Sequence, residues 1–518
     1  MTEAPLPDPM TGAQATDRVP EPLLAEASTA RSSVVVATSL LLSSLLGGLL
    51  ALLISVIVGE GPESDGFLAA YSVYLVFILF GSTLRIALVP LFGSTQDEGE
   101  FLRRASSALR MLLAVSAVAT LVVLVASPLA GKALVPNGER EAQDTAAVSV
   151  AILALAAYCQ VWSAMLSAVL GAVRRFVSSA LFYLLSSAVA VALGAGLMEA
   201  VGIEGAAIGA LGAAVVLLAT HLVYTRRLQF AAFPEWRAMR GPAAWRLAAT
   251  ALAGASVPVV LQVTATISLA AVSGRTGAVT AYSYAYFVTV LTTGLTAGVI
   301  GLVTMPNLIA ALHERGATAA EDYLAEMAPF SVFLYVPLAA GFAVFGRPIV
   351  DAVLDGPLTP DTIDILWDAA RIFLVMGLAW VLLAPLLTVT LSLQRYNSLA
   401  AIAACMIPVH ALLVLPAASI GPVTAAAAHA VSGTLLVIAV TVMVFGRRAP
   451  GAMWRAIRAC LPVAPLALVF PAAGLFMPDT LTGALVGLLV ATGIYMALGV
   501  VVWRSVGGRA LELLRGRA

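Results

Sequence analysis

Few side chains in this sequence combine reactive chemistry with apolar surroundings, and those few define the candidate sites. An ionised group at the centre of a hydrocarbon layer costs roughly 2.5–3.5 kcal/mol on insertion scales, so such a group faces protein or water. Arg85 stands inside an apolar run. Its planar donor fork suits phosphate oxygens; the competing reading is an arginine that snorkels to the membrane surface. Asp368 and Arg371 are three residues apart and share a helical face, which fits an ion pair, structural or coupling. Gln160 and Gln262 interrupt apolar runs and suit either interhelical hydrogen bonds or a ligand. Gln262 follows Pro258, which cannot donate to the Gly254 carbonyl, and a broken helix beside a polar side chain is a pointer to a binding site. Tyr71, Tyr282, Ser283, Tyr284 and Tyr286 fit the lining of a cavity or an interfacial aromatic belt. His410, near Pro408, is a candidate proton sensor, with a structural role as the alternative. Cys159, Cys405 and Cys460 match no metal or disulfide spacing. No catalytic triad, phosphate loop or metal cluster is present, so the sequence carries no enzyme signature and calls for no cofactor.

The elements that must position these groups are transmembrane helices. Of the 518 residues, 61% are hydrophobic and only 11% charged, against about 25% charged in a soluble domain. The net charge of zero argues against a nucleic-acid partner. A span needs about 20 apolar residues. That criterion predicts fourteen spans: 33–58, 66–93, 106–129, 146–171, 177–198, 203–224, 246–272, 277–311, 328–346, 365–393, 397–419, 422–445, 457–477 and 480–503. Arginines then gather on one side, among them Arg103, Arg174, Arg226, Arg315, Arg395 and Arg447, while the opposite loops hold acids such as Glu60, Glu139, Asp351 and Asp361. The positive-inside rule places both termini in the cytoplasm.

Two six-span halves share features. Ala70-Tyr71-Ser72 begins the second span and Ala281-Tyr282-Ser283 the eighth, and each span has a proline near its cytoplasmic end, Pro90 and Pro306. The expected organisation is a proline-rich disordered tail (1–32), a first lobe (33–225), an amphipathic linker (226–245), a second lobe (246–445), two extra spans (446–503) and a basic tail (504–518). Parallel halves of this kind enclose a central site in secondary transporters. The eighth span carries Gly294, Gly298, Gly301 and Pro306 in its cytoplasmic half, which predicts a hinge there.

The stretch Gly59-Glu60-Gly61-Pro62-Glu63-Ser64-Asp65-Gly66-Phe67, with Val89-Pro90, resembles the MurJ/MviN lipid II flippase family within the multidrug/oligosaccharidyl-lipid/polysaccharide exporter superfamily. So do Gly277-Ala278-Val279-Thr280-Ala281, Tyr284-Ala285-Tyr286, Gly298-Val299-Ile300-Gly301 and Met305-Pro306. The resemblance implies an all-α polytopic protein of the bacterial cytoplasmic membrane, with two six-helix lobes around a V-shaped cavity. It implies an undecaprenyl-linked sugar precursor as substrate, with Asp65 matching the family's acid after the first span. Membrane lipids, a coupling cation and envelope-synthesis proteins are the accompanying partners. Residues 33–58 carry no charge, and Tyr286 and Phe287 replace the family's acid and arginine. Those departures motivate a second reading, a transport-dead scaffold for envelope assembly. A third, a cation-coupled drug antiporter, requires a carboxylate inside the first lobe.

Overall fold

Water is absent from the hydrocarbon layer, so each crossing segment must satisfy its own backbone, and helices do this. The computed structural model describes residues 29–93, 98–172, 175–227, 249–250 and 252–506. The helices are α1 (Thr29–Val58), α2 (Pro62–Gly93), α3 (Glu98–Leu134), α4 (Arg140–Ala172), α5 (Phe176–Val201), α6 (Glu204–Arg227), α7 (Ser256–Val272), α8 (Ala278–Arg315), α9 (Ala317–Leu354), α10 (Pro360–Ser392), α11 (Tyr396–Ala418), α12 (Pro422–Phe445), α13 (Ala449–Cys460), α14 (Val469–Gly474) and α15 (Leu481–Val506). Among the described residues, eleven stretches are long and apolar enough to cross a membrane. The all-α polytopic class is therefore observed. The expected tail 1–32 and linker 226–245 fall almost wholly outside the described residues, as does the basic tail beyond 506.

Helix partners recur. In the first six helices α1 packs on α5, α2 on α4, α3 on α4, α4 on α6 and α5 on α6. In the next six, α7 packs on α11, α8 on α10, α9 on α10, α10 on α12 and α11 on α12. Adding six to each number of the first set yields the second. Lipid supplies no hydrophobic drive between helices, so close approach of small residues carries the packing. In the first bundle α4 is central, and it turns Ala142, Ala146, Ser149, Leu153 and Ala157 inward at helical spacing. The bundles meet through α1 and α2 on one side and α7 and α8 on the other.

Three differences from the sequence expectations have physical causes. The expected span from 246 to 272 is interrupted: residues 252–254 are helical, a turn follows at Ala255, three residues before Pro258, and α7 runs from Ser256. This is the break that proline's missing donor dictates. The thirteenth expected span, 457–477, is not one helix. The helix α13 ends at Cys460, a turn follows, and a short 3₁₀ segment, Ala464–Leu468, leads into α14. Pro462, Pro465 and Pro471 remove three backbone donors in that stretch, and Pro462 and Pro465 fall on the turn and the 3₁₀ segment where the α-helix is interrupted. What precedes it is amphipathic: Ala449, Ala452 and Ala456 are buried, while Trp454 and Ile457 are exposed. Arg455 of α13 pairs with the buried Glu321 of α9, and Arg448 lies 3.7 Å from the same carboxylate.

Candidate functional site

The seam between the bundles is built from the ends of α2, α8 and α10. Asp65 occupies the first turn of α2, and its side chain is buried. Its carboxylate reaches the N-terminus of α8, where the Gly277 and Thr280 N–H groups donate to it at 2.8 and 2.9 Å and the Thr280 hydroxyl at 2.6 Å. The first N–H groups of a helix have no partner within it, and the helix dipole favours an anion there. Asp65 thus caps a helix of the other bundle. Beside it, the Thr359 N–H donates to Glu60 at 2.8 Å, and the Glu60 N–H donates to the Pro357 carbonyl at 3.0 Å. Thr359 also caps α10, with Pro360 at the first helical position. The Asn137 N–H donates to Ser273 at 3.4 Å, and Thr276 to Glu139 at 3.5 Å. Every one of these cross-bundle bonds lies at the acidic end of the molecule.

Gly277 makes this seam possible. It is left-handed, with φ of 79°, and a side-chain carbon there would overlap the Glu60 carboxylate and the Thr362 hydroxyl. We expect Gly277→Ala to strain the backbone and push Glu60 out, weakening the seam by roughly 1–3 kcal/mol. Thermal unfolding of the purified variant checks this; an unchanged midpoint would contradict it.

Below the seam is an aromatic layer. Tyr71 stacks on Phe67 at 5.6 Å between ring centres and meets Phe287 of α8 edge-on at 6.2 Å. Tyr284 meets Phe287 at 6.3 Å. Ser72 donates to Thr266 of α7 at 3.0 Å. The Gln160 amide donates to the Tyr74 hydroxyl at 3.3 Å, so it braces α4 against α2 within the first bundle.

The tyrosines of α8 divide by helical phase. Tyr282 and Tyr286, four apart, turn into the second bundle and are buried. The Tyr282 hydroxyl meets His429 Nδ1 at 2.9 Å. Tyr286 donates to the Leu261 carbonyl at 3.4 Å and meets Phe373 and Trp380 edge-on. These two therefore do not line the space between the bundles, contrary to the sequence expectation. Ser283 and Gln262 are buried, and among the described residues Ser283 Oγ and Gln262 Oε1 have no hydrogen-bond partner.

The remaining candidates resolve as follows. Asp368 and Arg371 are both exposed and form no ion pair; the Arg371 guanidinium instead lies 5.9 Å from the Trp367 ring centre. Sharing a face brings the two within reach, but the Trp367 ring beside the guanidinium competes for the cation. His410 is buried and has a partner the sequence reading missed, His429, with ring centres 4.8 Å apart. The only sequence signal for it was a second histidine inside an apolar run. Gly294 is exposed on α8. The side chains of Arg85 and Pro306, and the surroundings of Gly298 and Gly301, lie outside the described residues. No group of three metal-ligating side chains occurs among the described residues.

The sequence matches the family described as "Lipid II flippase MurJ" over residues 54–494, most of the chain. The chain belongs to the MurJ lipid II flippase family. No curated protein matches it. Solved structures agree on the fold. A lipid II flippase MurJ in an inward closed conformation superposes with a TM-score of 0.69 at 16% identity, covering 91% of this chain and 99% of that one. A multidrug/oligosaccharidyl-lipid/polysaccharide superfamily transporter from Pyrococcus furiosus gives 0.60 at 15% identity, over 86% and 99%. An outward-facing multidrug transporter of the same superfamily gives 0.59 at 15%, over 86% and 99%. At these identities the likeness is one of fold. The family match extends over the seam of α2 and α8, so Asp65 and Gly277 belong to the matched part.

Proposed function

We propose that this chain turns a polyprenyl-diphosphate-linked saccharide from the inner to the outer leaflet by alternating access of its two six-helix bundles. One observation carries the reading beyond family membership: among the described residues most cross-bundle hydrogen bonds gather around Asp65 and the N-terminus of α8, with Ser72–Thr266 a few turns deeper. A transporter that exposes its site to one side at a time needs such a closure, breakable and remade in each cycle. With arginines in the cytoplasm, the acidic closed end faces outward, both termini lie inside, and the bacterial cytoplasmic membrane is the setting.

Within this reading Arg85 is the diphosphate contact, and Tyr71, Tyr284, Gln160 and Gln262 border the path of the sugar. Depleting the protein from cells should trap the lipid-linked precursor in the inner leaflet; unchanged sidedness would overturn the proposal. The drug-antiporter reading asks for a carboxylate in the first bundle. Asp65 is the buried one among the described residues of α1–α6, and it is committed to α8.

Closure then requires α8 to bend. Gly294, Gly298 and Gly301 supply the freedom, since glycine lowers helix stability by up to about 1 kcal/mol each. Replacing Gly298 and Gly301 together with alanine should slow transport while leaving membrane insertion intact. A normal rate in the double variant would exclude the hinge.

A further inference from the structure

The second bundle contains a buried polar cluster that the closure does not use. His410 of α11 lies between two serines: its Nε2 is 3.0 Å from Ser268 Oγ on α7, and its Nδ1 is 2.6 Å from Ser432 Oγ on α12. Each serine also has a helix carbonyl in reach. Ser268 lies 3.0 Å from the Thr264 carbonyl, and Ser432 lies 2.8 Å from that of His429. His429 Nδ1 meets the Tyr282 hydroxyl at 2.9 Å and Ser268 Oγ at 3.3 Å. His429 Nε2, though buried, has no partner among the described residues. Both imidazoles, both serines and Tyr282 are almost wholly inaccessible.

Counting protons shows what the cluster can do. A serine hydroxyl has one proton to give and lone pairs to receive. If Ser268 donates to the Thr264 carbonyl and Ser432 to the His429 carbonyl, both oxygens present lone pairs to His410. Both ring nitrogens must then carry a proton, and the ring is an imidazolium. If Ser432 rotates so that its proton points at Nδ1, the ring is neutral and equally well bonded. A proton from hydronium can therefore bind the Nδ1 lone pair, releasing water, at the cost of one hydroxyl rotation and no lost bond to the ring. A purely structural histidine needs an acceptor at one nitrogen only; here Nε2 has the Ser268 hydroxyl and the Thr264 carbonyl in reach, and Nδ1 faces a hydroxyl that can either give or receive a proton.

We propose that His410, held between Ser268 and Ser432, is a proton-binding site whose occupancy biases the arrangement of the second bundle. The two rings face each other at 4.8 Å between centres, and around them lie Tyr282 and Tyr286 from α8, Ser268 and the Thr264 carbonyl from α7, Phe373 and Trp380 from α10 and Ser432 from α12. Among the described residues no carboxylate or cationic side chain bonds to either ring. A proton bound here is thus an unpaired buried charge, which favours any arrangement that admits water or a partner. A difference in proton affinity between two arrangements is a coupling free energy. The cluster ties α7, α11 and α12 to α8 through Tyr282, and α8 is the helix whose end Asp65 holds. The coupling rests on the transporter reading; proton binding does not.

The test uses the full chain, labelled with ¹⁵N-histidine, in phosphatidylethanolamine–phosphatidylglycerol liposomes. Solid-state NMR from pH 2.5 to 8, with His410→Asn for assignment, should show His410 passing from neutral ring to imidazolium. Ser432→Ala, which removes the Nδ1 acceptor, should lower the midpoint by about one pH unit, about tenfold in proton affinity. A His410 that stays neutral throughout, or a midpoint unmoved by Ser432→Ala, overturns the site. For the coupling, spin labels at Glu141→Cys and Asp355→Cys, with the native cysteines replaced by alanine, report the distance across the acidic end. We expect a pH-dependent shift that His410→Asn abolishes. No shift, or one that persists in His410→Asn, overturns the coupling. A titrating His410 in a chain whose depletion leaves precursor sidedness unchanged would remove the flippase reading and keep the proton site.

Discussion

Replacing Asp65 with alanine should open the acidic end of the molecule. The substitution removes the acceptor of three hydrogen bonds, two from the α8 backbone and one from Thr280. Hydrogen bonds to a charged group contribute about 1.5–3 kcal/mol each. Losing even one such contribution shifts a two-state equilibrium by about tenfold or more. The freed N–H groups of Gly277 and Thr280 can be hydrated only if the seam parts, so the cost falls on the closed arrangement. Spin labels at Glu141→Cys and Asp355→Cys should therefore read a longer distance in Asp65→Ala. Asp65→Asn, which keeps the shape and one acceptor oxygen, should fall between the two. Because the bonds cross bundles and leave each bundle's own helix pairs untouched, membrane insertion should be unaffected. A closed distance distribution in Asp65→Ala would show that the apolar and aromatic contacts of α2 with α7 and α8 hold the seam without it.

The next residue should give the largest loss of stability. Gly66 sits where α2 crosses α4, and a side-chain carbon built there would overlap the Ala142 carbonyl and crowd the Ala146 backbone nitrogen. Both obstacles are helix backbone, so no side chain can swing aside. Overpacking typically costs 1–3 kcal/mol and occasionally more, and Gly66→Val adds two carbons beyond the first. We expect a marked fall in detergent-stable, monodisperse protein and in unfolding temperature. Gly61→Ala is the control, because open space surrounds that position. Equal stability of the two variants would mean that α2 and α4 can separate without penalty.

The two predictions test different levels. Asp65 acts between bundles and should change the population of closed molecules. Gly66 acts within the first bundle and should change whether it holds together. A variant series in which Asp65→Ala unfolds the protein and Gly66→Val merely opens it would reverse this assignment of roles.

What the sequence determined by itself was local. Apolar runs of sufficient length must become helices in a membrane, because no water is available to satisfy an open backbone, and nearly all the expected spans are helical. Pro258 marked the interruption before α7, since a missing donor is a property of one residue. Pro462, Pro465 and Pro471 were equally legible, yet prolines alone do not fix a break, since α9 runs on through Pro329, Pro337 and Pro348. The two Ala-Tyr-Ser segments likewise fall on α2 and α8, helices with matching partners in their own halves.

Only the tertiary structure decided which way each side chain faces and what it meets. Asp65 and Thr280 are 215 residues apart, and nothing near either names the other. The tyrosines of α8 share one short segment, yet a helix turns about 100° per residue. Tyr282 and Tyr286 therefore enter the second bundle, while Tyr284 meets Phe287, which faces Tyr71 of the first. His410 and His429 sit on successive helices, and their contact depends on the relative rotation of α11 and α12. Arg371 shares a face with Asp368 but lies over Trp367. Composition fixes the cost of placing a group in an apolar layer. Partners depend on helix rotation and crossing, which packing sets among residues far apart in the chain.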